Sequence, residues 1–247
     1  PAFLQTQAGS YLAEKLRGDW LRVLAKRGDW EGFQAEYPKL AQPDQELVCD
    51  DWAGRLKRQR DAGVFDEARP VWFSATELPD ACTPVFDRLV ADKRLDADAV
   101  WDRVRRLLET KNLREARRAA AYLPDAQVPP AKALETIAAN PQRYLERKLP
   151  KKYDATRLGR ELALFAVQQA ARRDPQEAVA QWRRIAGSFS ADERAYAWGQ
   201  LALQAAKRHM PEATAWYTQS TGARLSDDQA AWRVRAALRG GDWTTVY

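Results

Sequence analysis

One histidine, two cysteines and scattered carboxylates are the main resources for side-chain chemistry in this 247-residue chain. A structural zinc site takes about four Cys and His ligands, so His209, Cys49 and Cys82 cannot make one. Any Ser-His-Asp or Cys-His relay would have to run through His209 alone. That residue stands in Lys207-Arg208-His209-Met210-Pro211, directly before a Pro-Glu-Ala helix start. There it reads as a last-turn residue that complements the helix dipole. Glu135, Glu146 and Glu161 lie in helical segments among basic neighbours and read as solvated helix faces. Neither spacing of a glycine-rich phosphate loop occurs. The sequence assigns no catalytic residue, no metal site and no cofactor.

The two cysteines, Cys49 and Cys82, are 33 positions apart. They read either as free thiols buried as small hydrophobes, or as a disulfide. On the chain-entropy account such a loop is worth about 3–4 kcal/mol, and it implies an oxidising compartment. The basic runs are Arg55-Leu56-Lys57-Arg58-Gln59-Arg60, Arg143 with Arg147-Lys148 and Lys151-Lys152, Arg172-Arg173, and Arg183-Arg184. Ten tryptophans interleave with them. Arginine and aromatic rings together can stack bases or sugars. The blander reading, that Trp packs between helices while Arg stems lie over it, fits the acidic residues mixed into the same runs. Lys and Arg total 40 against 34 Asp and Glu, a formal charge of +6. That favours anionic partners without requiring nucleic acid.

The elements that must position these residues are helical. Trp101, Val104 and Leu108 share one face of a helix, as do Leu158, Leu162, Phe165 and Gln169, with only the last polar. Ala178, Trp182, Ile185 and Phe189 form another stripe, and Ala195, Trp198, Ala202 and Ala205 a fourth. Small residues allow close helix approach and the aromatic fills the groove. Breaks recur every 10 to 20 residues, at Gly28-Asp29, Gly63, Lys111-Asn112, Asp174-Pro175, Met210-Pro211 and Gly240-Gly241-Asp242. Asp174 before Pro175 is an N-cap followed by a proline in the first turn. Glu177 sits near the capping-box position.

Gly-Asp-Trp occurs three times, at residues 18–20, 28–30 and 241–243. Glu177 and Glu212 open similar Trp-bearing helices 35 residues apart, about the period of a two-helix tetratricopeptide-like unit. The expected fold is all-α: a right-handed superhelix, or solenoid, of short helical hairpins over residues 1–247 as one domain, with a long turn at 123–130. A four-helix bundle is the runner-up, but needs fewer and longer helices. The helix opened by Asp242 stops within its second turn, which suggests a chain cut from a longer one. No apolar run approaches the ~20 residues of a membrane span.

Taken in order, these residues resemble the superhelical region of the soluble lytic transglycosylases of Gram-negative bacteria. The resemblance runs through Asp29-Trp30, Phe33, Tyr37-Pro38, Leu47, Cys49, Ala53, Gly63, Trp72, Leu78-Pro79, Cys82, Pro84 and Phe86. It continues through Trp101, Arg103, Asn112 to Arg117 and Leu123-Pro124. It resumes at Pro141, Tyr144-Leu145, Arg160-Glu161-Leu162, Ala178 and Trp182, and ends in Trp232 to Leu238 with Asp242-Trp243. That family is periplasmic and cleaves the β-1,4 bond between N-acetylmuramic acid and N-acetylglucosamine, leaving a 1,6-anhydro end. It is built as a ring of helical hairpins carrying a lysozyme-like domain with one catalytic glutamate, unlike two-carboxylate glycosidases.

The Glu-Ser and Gly-Leu-Met-Gln-like stretches of that domain do not occur here, so no catalytic residue carries over. The resemblance implies a scaffold that forms part of the ring, holds the catalytic domain and presents basic residues to peptidoglycan strands. Which of those residues face the glycan it does not say. Other cell-wall proteins are conceivable partners; nucleic acid is not expected. It also implies that Cys49 and Cys82 bridge. A helical-repeat adaptor for protein partners and an RNA-binding solenoid are the alternative readings.

Overall fold

The computed structural model describes residues 4, 6–7, 9–59, 63–148 and 156–246. Among them there is no strand, so the fold is all-α as expected. Internal contacts divide the chain into two units, Pro1–Tyr122 and Leu123–Tyr247, and the break falls at the start of the expected turn at 123–130.

The first unit contains α1 (Tyr11–Arg27), α2 (Trp30–Glu36), α3 (Gln45–Gln59), α4 (Gly63–Trp72), α5 (Thr83–Ala91), α6 (Ala97–Glu109) and α7 (Leu113–Ala120). Side-chain caps start several of them. Ser10, Asp29, Asp96 and Asn112 each accept from a backbone N–H of the following first turn, satisfying donors that have no helical partner. Gly28 ends α1 at φ 71°, a conformation glycine adopts without the Cβ penalty. Phe33 is fully buried with Leu21, Leu24 and Leu47, and its ring stacks on Tyr37 at 5.4 Å. Gly54 lets the Trp30 ring lie on the α3 backbone, since a Cβ there would come within 2.6 Å of the ring.

The second unit is built of helix pairs: two short helices, α8 (Ala133–Ala139) with α9 (Pro141–Lys148), and then a longer helix with a shorter one in α10 (Arg157–Arg173) with α11 (Pro175–Ile185), α12 (Ala191–Lys207) with α13 (Ala213–Thr218), and α14 (Asp227–Gly240) with α15 (Trp243–Val246). Helices α8, α10, α12 and α14 pack each on the next. Capping boxes start α12 (Ser190 with Glu193) and α14 (Ser226 with Gln229). Asp174 caps α11 through the N–H groups of Gln176 and Glu177, with Pro175 at the first position. Glu177 does not close a box; it accepts from Gln142 at 2.8 Å instead. Trp182 and Phe189 fill one inter-helix groove (4.9 Å), Trp198 and Trp216 another (6.2 Å).

The 35-residue period reappears as a set of links between successive hairpins. Arg173 donates to the carbonyls of Ala138 and Ala139, and Arg208 to those of Arg172 and Arg173. Gln176 reaches Glu212, Arg160 reaches Glu193 and Gln168 reaches Gln200. With the bond from Gln142 to Glu177, these bridge separations of 32 to 36 residues. Arg173 and Arg208 cap the carbonyl ends of α8 and α10, where unsatisfied acceptors and the dipole favour a cation.

Candidate functional site

The structure brings Cys49 and Cys82 together as a disulfide, with Cα atoms 4.8 Å apart. Cys49 lies in α3 and Cys82 ends the 3-10 turn Asp80–Cys82. The bond therefore ties α3 to the segment that follows α4, and both cysteines are at most 1% exposed.

That segment, residues 73–82, is also held from the other side. Arg103 of α6 donates to the carbonyls of Trp72 (2.6 Å), Ser74 (2.9 Å) and Thr76 (3.2 Å). Arg118 of α7 donates to the Leu78 carbonyl and the Thr83 hydroxyl and pairs with Asp80 at 2.7 Å. Arg114 pairs with Glu77. Just past α7, the Tyr122 hydroxyl donates to Asp87 at 2.7 Å. Trp72 anchors the centre: its indole N–H donates to the Ala99 carbonyl, and its ring meets Phe86, Tyr122 and the Arg103 guanidinium. Burial pulls the Arg103 pKa down to about 10, against the opposing pull of Glu115, so it remains a cation at neutral pH. Burial, aided by the bond to Asp87, pushes the Tyr122 hydroxyl well above its usual range and keeps it a donor.

These groups line a half-open cavity of about 30 Å³, bordered among others by Trp72, Leu78, Phe86, Arg103, Glu115 and Arg118. Its dimensions suit one or two waters or the tip of a small group, not a sugar ring. Arg103 and Glu115 were legible in principle. Arg103 falls in phase with Val100, Val104 and Leu107, and Glu115 beside Ala116 and Ala119, so each is a charge in an apolar stripe that has to find a partner.

The other residues that the sequence singles out have structural roles. His209 is not in the last turn of α12 but just beyond it, at φ 61°. Its backbone N–H still donates to Ala206, and its exposed ring lies 6.2 Å from Trp232. Glu146 is exposed as expected and Glu135 only partly so. Glu161 corrects the solvated reading: it is 4% exposed and paired with Arg157 at 2.7 Å, because α10 is covered along nearly its whole length. Of the basic runs, Arg55 binds Asp51 and Glu67, Lys57 lies over the Trp30 ring, and Arg58 donates to the Trp30 carbonyl. Arg173 serves the links between hairpins and Arg184 bonds Gln181. Arg60, Lys151 and Lys152, and the side chains of Arg147 and Lys148, lie outside the described residues. No group of three or more potential metal ligands, and no helix long and apolar enough to cross a membrane, occurs among the described residues.

No family profile and no curated protein matches the chain. Solved structures do. An inactive mutant of the lytic transglycosylase Slt from Pseudomonas aeruginosa matches with a TM-score of 0.72 and 26% identity, over 98% of this chain and 39% of that one. The 70-kDa soluble lytic transglycosylase of Escherichia coli matches with a TM-score of 0.61 and 22% identity, and a complex of the 70-kDa soluble lytic transglycosylase with bulgecin A with 0.60 and 22%. Both cover 99% of this chain and 40% of theirs, and at that identity they speak for the fold alone. The resemblance read in the residues is thus matched by structural likeness to the same kind of protein. The chain spans about 40% of the length of these structures.

Proposed function

We propose that this chain is the helical scaffold region of a periplasmic lytic transglycosylase, a region that holds a separate catalytic domain and guides peptidoglycan strands to it. The observation that carries the reading is the likeness to the Pseudomonas aeruginosa enzyme across 98% of the chain. A buried disulfide fits an oxidising compartment. The chemistry of the whole protein would be cleavage of the β-1,4 bond between N-acetylmuramic acid and N-acetylglucosamine to 1,6-anhydro products. In this reading residues 1–247 contribute no reacting group. Their charge is unevenly placed: residues 1–122 carry 21 basic and 21 acidic side chains, and residues 123–247 carry 19 and 13. The excess of cations on the second unit favours an anionic strand there.

Two assays on the purified chain test the proposal. It should co-sediment with purified peptidoglycan, less so as salt rises, and leave the turbidity of a peptidoglycan suspension unchanged. Lysis by the chain alone refutes the scaffold role. Failure to co-sediment, with capture of a protein ligand instead, favours a helical-repeat adaptor.

A further inference from the structure

The Glu115 carboxylate offsets the buried Arg103 charge, yet no hydrogen bond of the clamp reaches it. Glu115 is 4% exposed and lines the cavity. Its nearest cations, Arg114 and Arg118, stand 4.0 Å away, beyond direct hydrogen-bond reach. Both guanidinium groups are committed elsewhere, to Glu77 and to Leu78, Thr83 and Asp80. Arg103 is spent on three carbonyls. A largely buried carboxylate favours a donor beside it, and an N–H or O–H group in the cavity can supply one.

The surroundings restrict that occupant by charge, size and polarity. A cationic group would face Arg103, Arg114 and Arg118, and an anionic group would face Glu115 itself. A neutral N–H or O–H donor meets neither objection. A volume of about 30 Å³ admits a tip of a few heavy atoms. The apolar part of the lining includes Trp72, Leu78, Phe86 and Ala119, which suit a methyl group. We propose that this cavity is a binding site for the tip of a neutral amide, with Glu115 accepting from its N–H and the aromatic and aliphatic wall taking its methyl group. Resting on the glycan reading above, the natural bearer of such a group is the acetamido substituent of an amino sugar, presented from the cavity mouth.

The test uses the full chain and four probes: acetamide, N-acetylglucosamine, acetate and methylammonium, each titrated to about 0.2 M because fragments of this size bind weakly. The readout is the NMR resonance of the Trp72 indole N–H, which is held on the Ala99 carbonyl beside the cavity. Acetamide and N-acetylglucosamine should shift it saturably, and the two ions should not. Glu115→Gln, near-isosteric but no longer a charged acceptor, should weaken acetamide by about tenfold or more. Ala119→Val, which keeps the carboxylate and narrows the cavity, should weaken it similarly and serves if the first variant melts abnormally. Equal shifts from acetate or methylammonium, no shift from any probe, or unchanged binding by a folded variant would each overturn the site. The readouts separate the two claims. Peptidoglycan binding without an acetamide response defeats the cavity and spares the scaffold; the converse defeats the scaffold and spares the cavity.

Discussion

Reducing the Cys49–Cys82 bond should destabilise the first unit by an amount that the loop length sets. The bond closes 33 residues of chain. On the chain-entropy account this removes about 12 cal/mol/K from the unfolded ensemble, or about 3.7 kcal/mol at room temperature. If residues 1–122 unfold as their own unit, an unfolding entropy of about 0.26 kcal/mol/K turns that loss into a fall of about 14 °C in Tm. Both cysteines are buried, so a reductant should act only on molecules that have opened. The assay is a thermal melt of the chain with and without a phosphine reductant, followed by hydrogen exchange. Protection should drop in α3, α4 and α5 and stay unchanged in α10, α12 and α14. A Tm change under about 3 °C, or equal loss of protection in both sets of helices, would refute the idea that this cross-link acts by restricting the unfolded first unit.

Two further perturbations probe single positions. Burial, reinforced by Glu46 and Asp44, raises the Asp50 pKa to about 6, so the folded state holds a proton there that the unfolded chain gives up near 3.8. Stability from this group is present below pH 3.8 and is lost as pH rises to 6. Asp50→Asn should therefore raise Tm at pH 7, by about 1–2 kcal/mol in stability after allowance for solvent screening, and do little at pH 3.5. An equal gain at both pH values would assign the effect to something other than ionisation. Gly54→Ala places a Cβ 2.6 Å from the Trp30 ring and should cost about 1–3 kcal/mol in a denaturant melt, with a shift in Trp fluorescence; a neutral result would mean Trp30 can swing away.

Much of the architecture was written in short-range terms. Helix ends follow from residues whose effect reaches three or four positions: Asp29, Asn112 and Asp174 accept from their own helix starts, and Gly28 and Gly241 take the left-handed turn. The Ala-plus-Trp stripes marked the faces that now pack, and the spacing of Glu177 and Glu212 matched the observed period. The partners of the charged groups were not legible. Arg103 meets carbonyls 27 to 31 residues earlier, Tyr122 meets Asp87, and Glu161 is covered by neighbouring helices. Those pairings depend on how each hairpin rotates and slides on the one before it. Packing of whole helix faces decides that, and no residue carries it alone. The sequence by itself determined helices, stops and repeat length through local backbone energetics, whereas tertiary structure decided which charges are buried together around the Glu115 cavity.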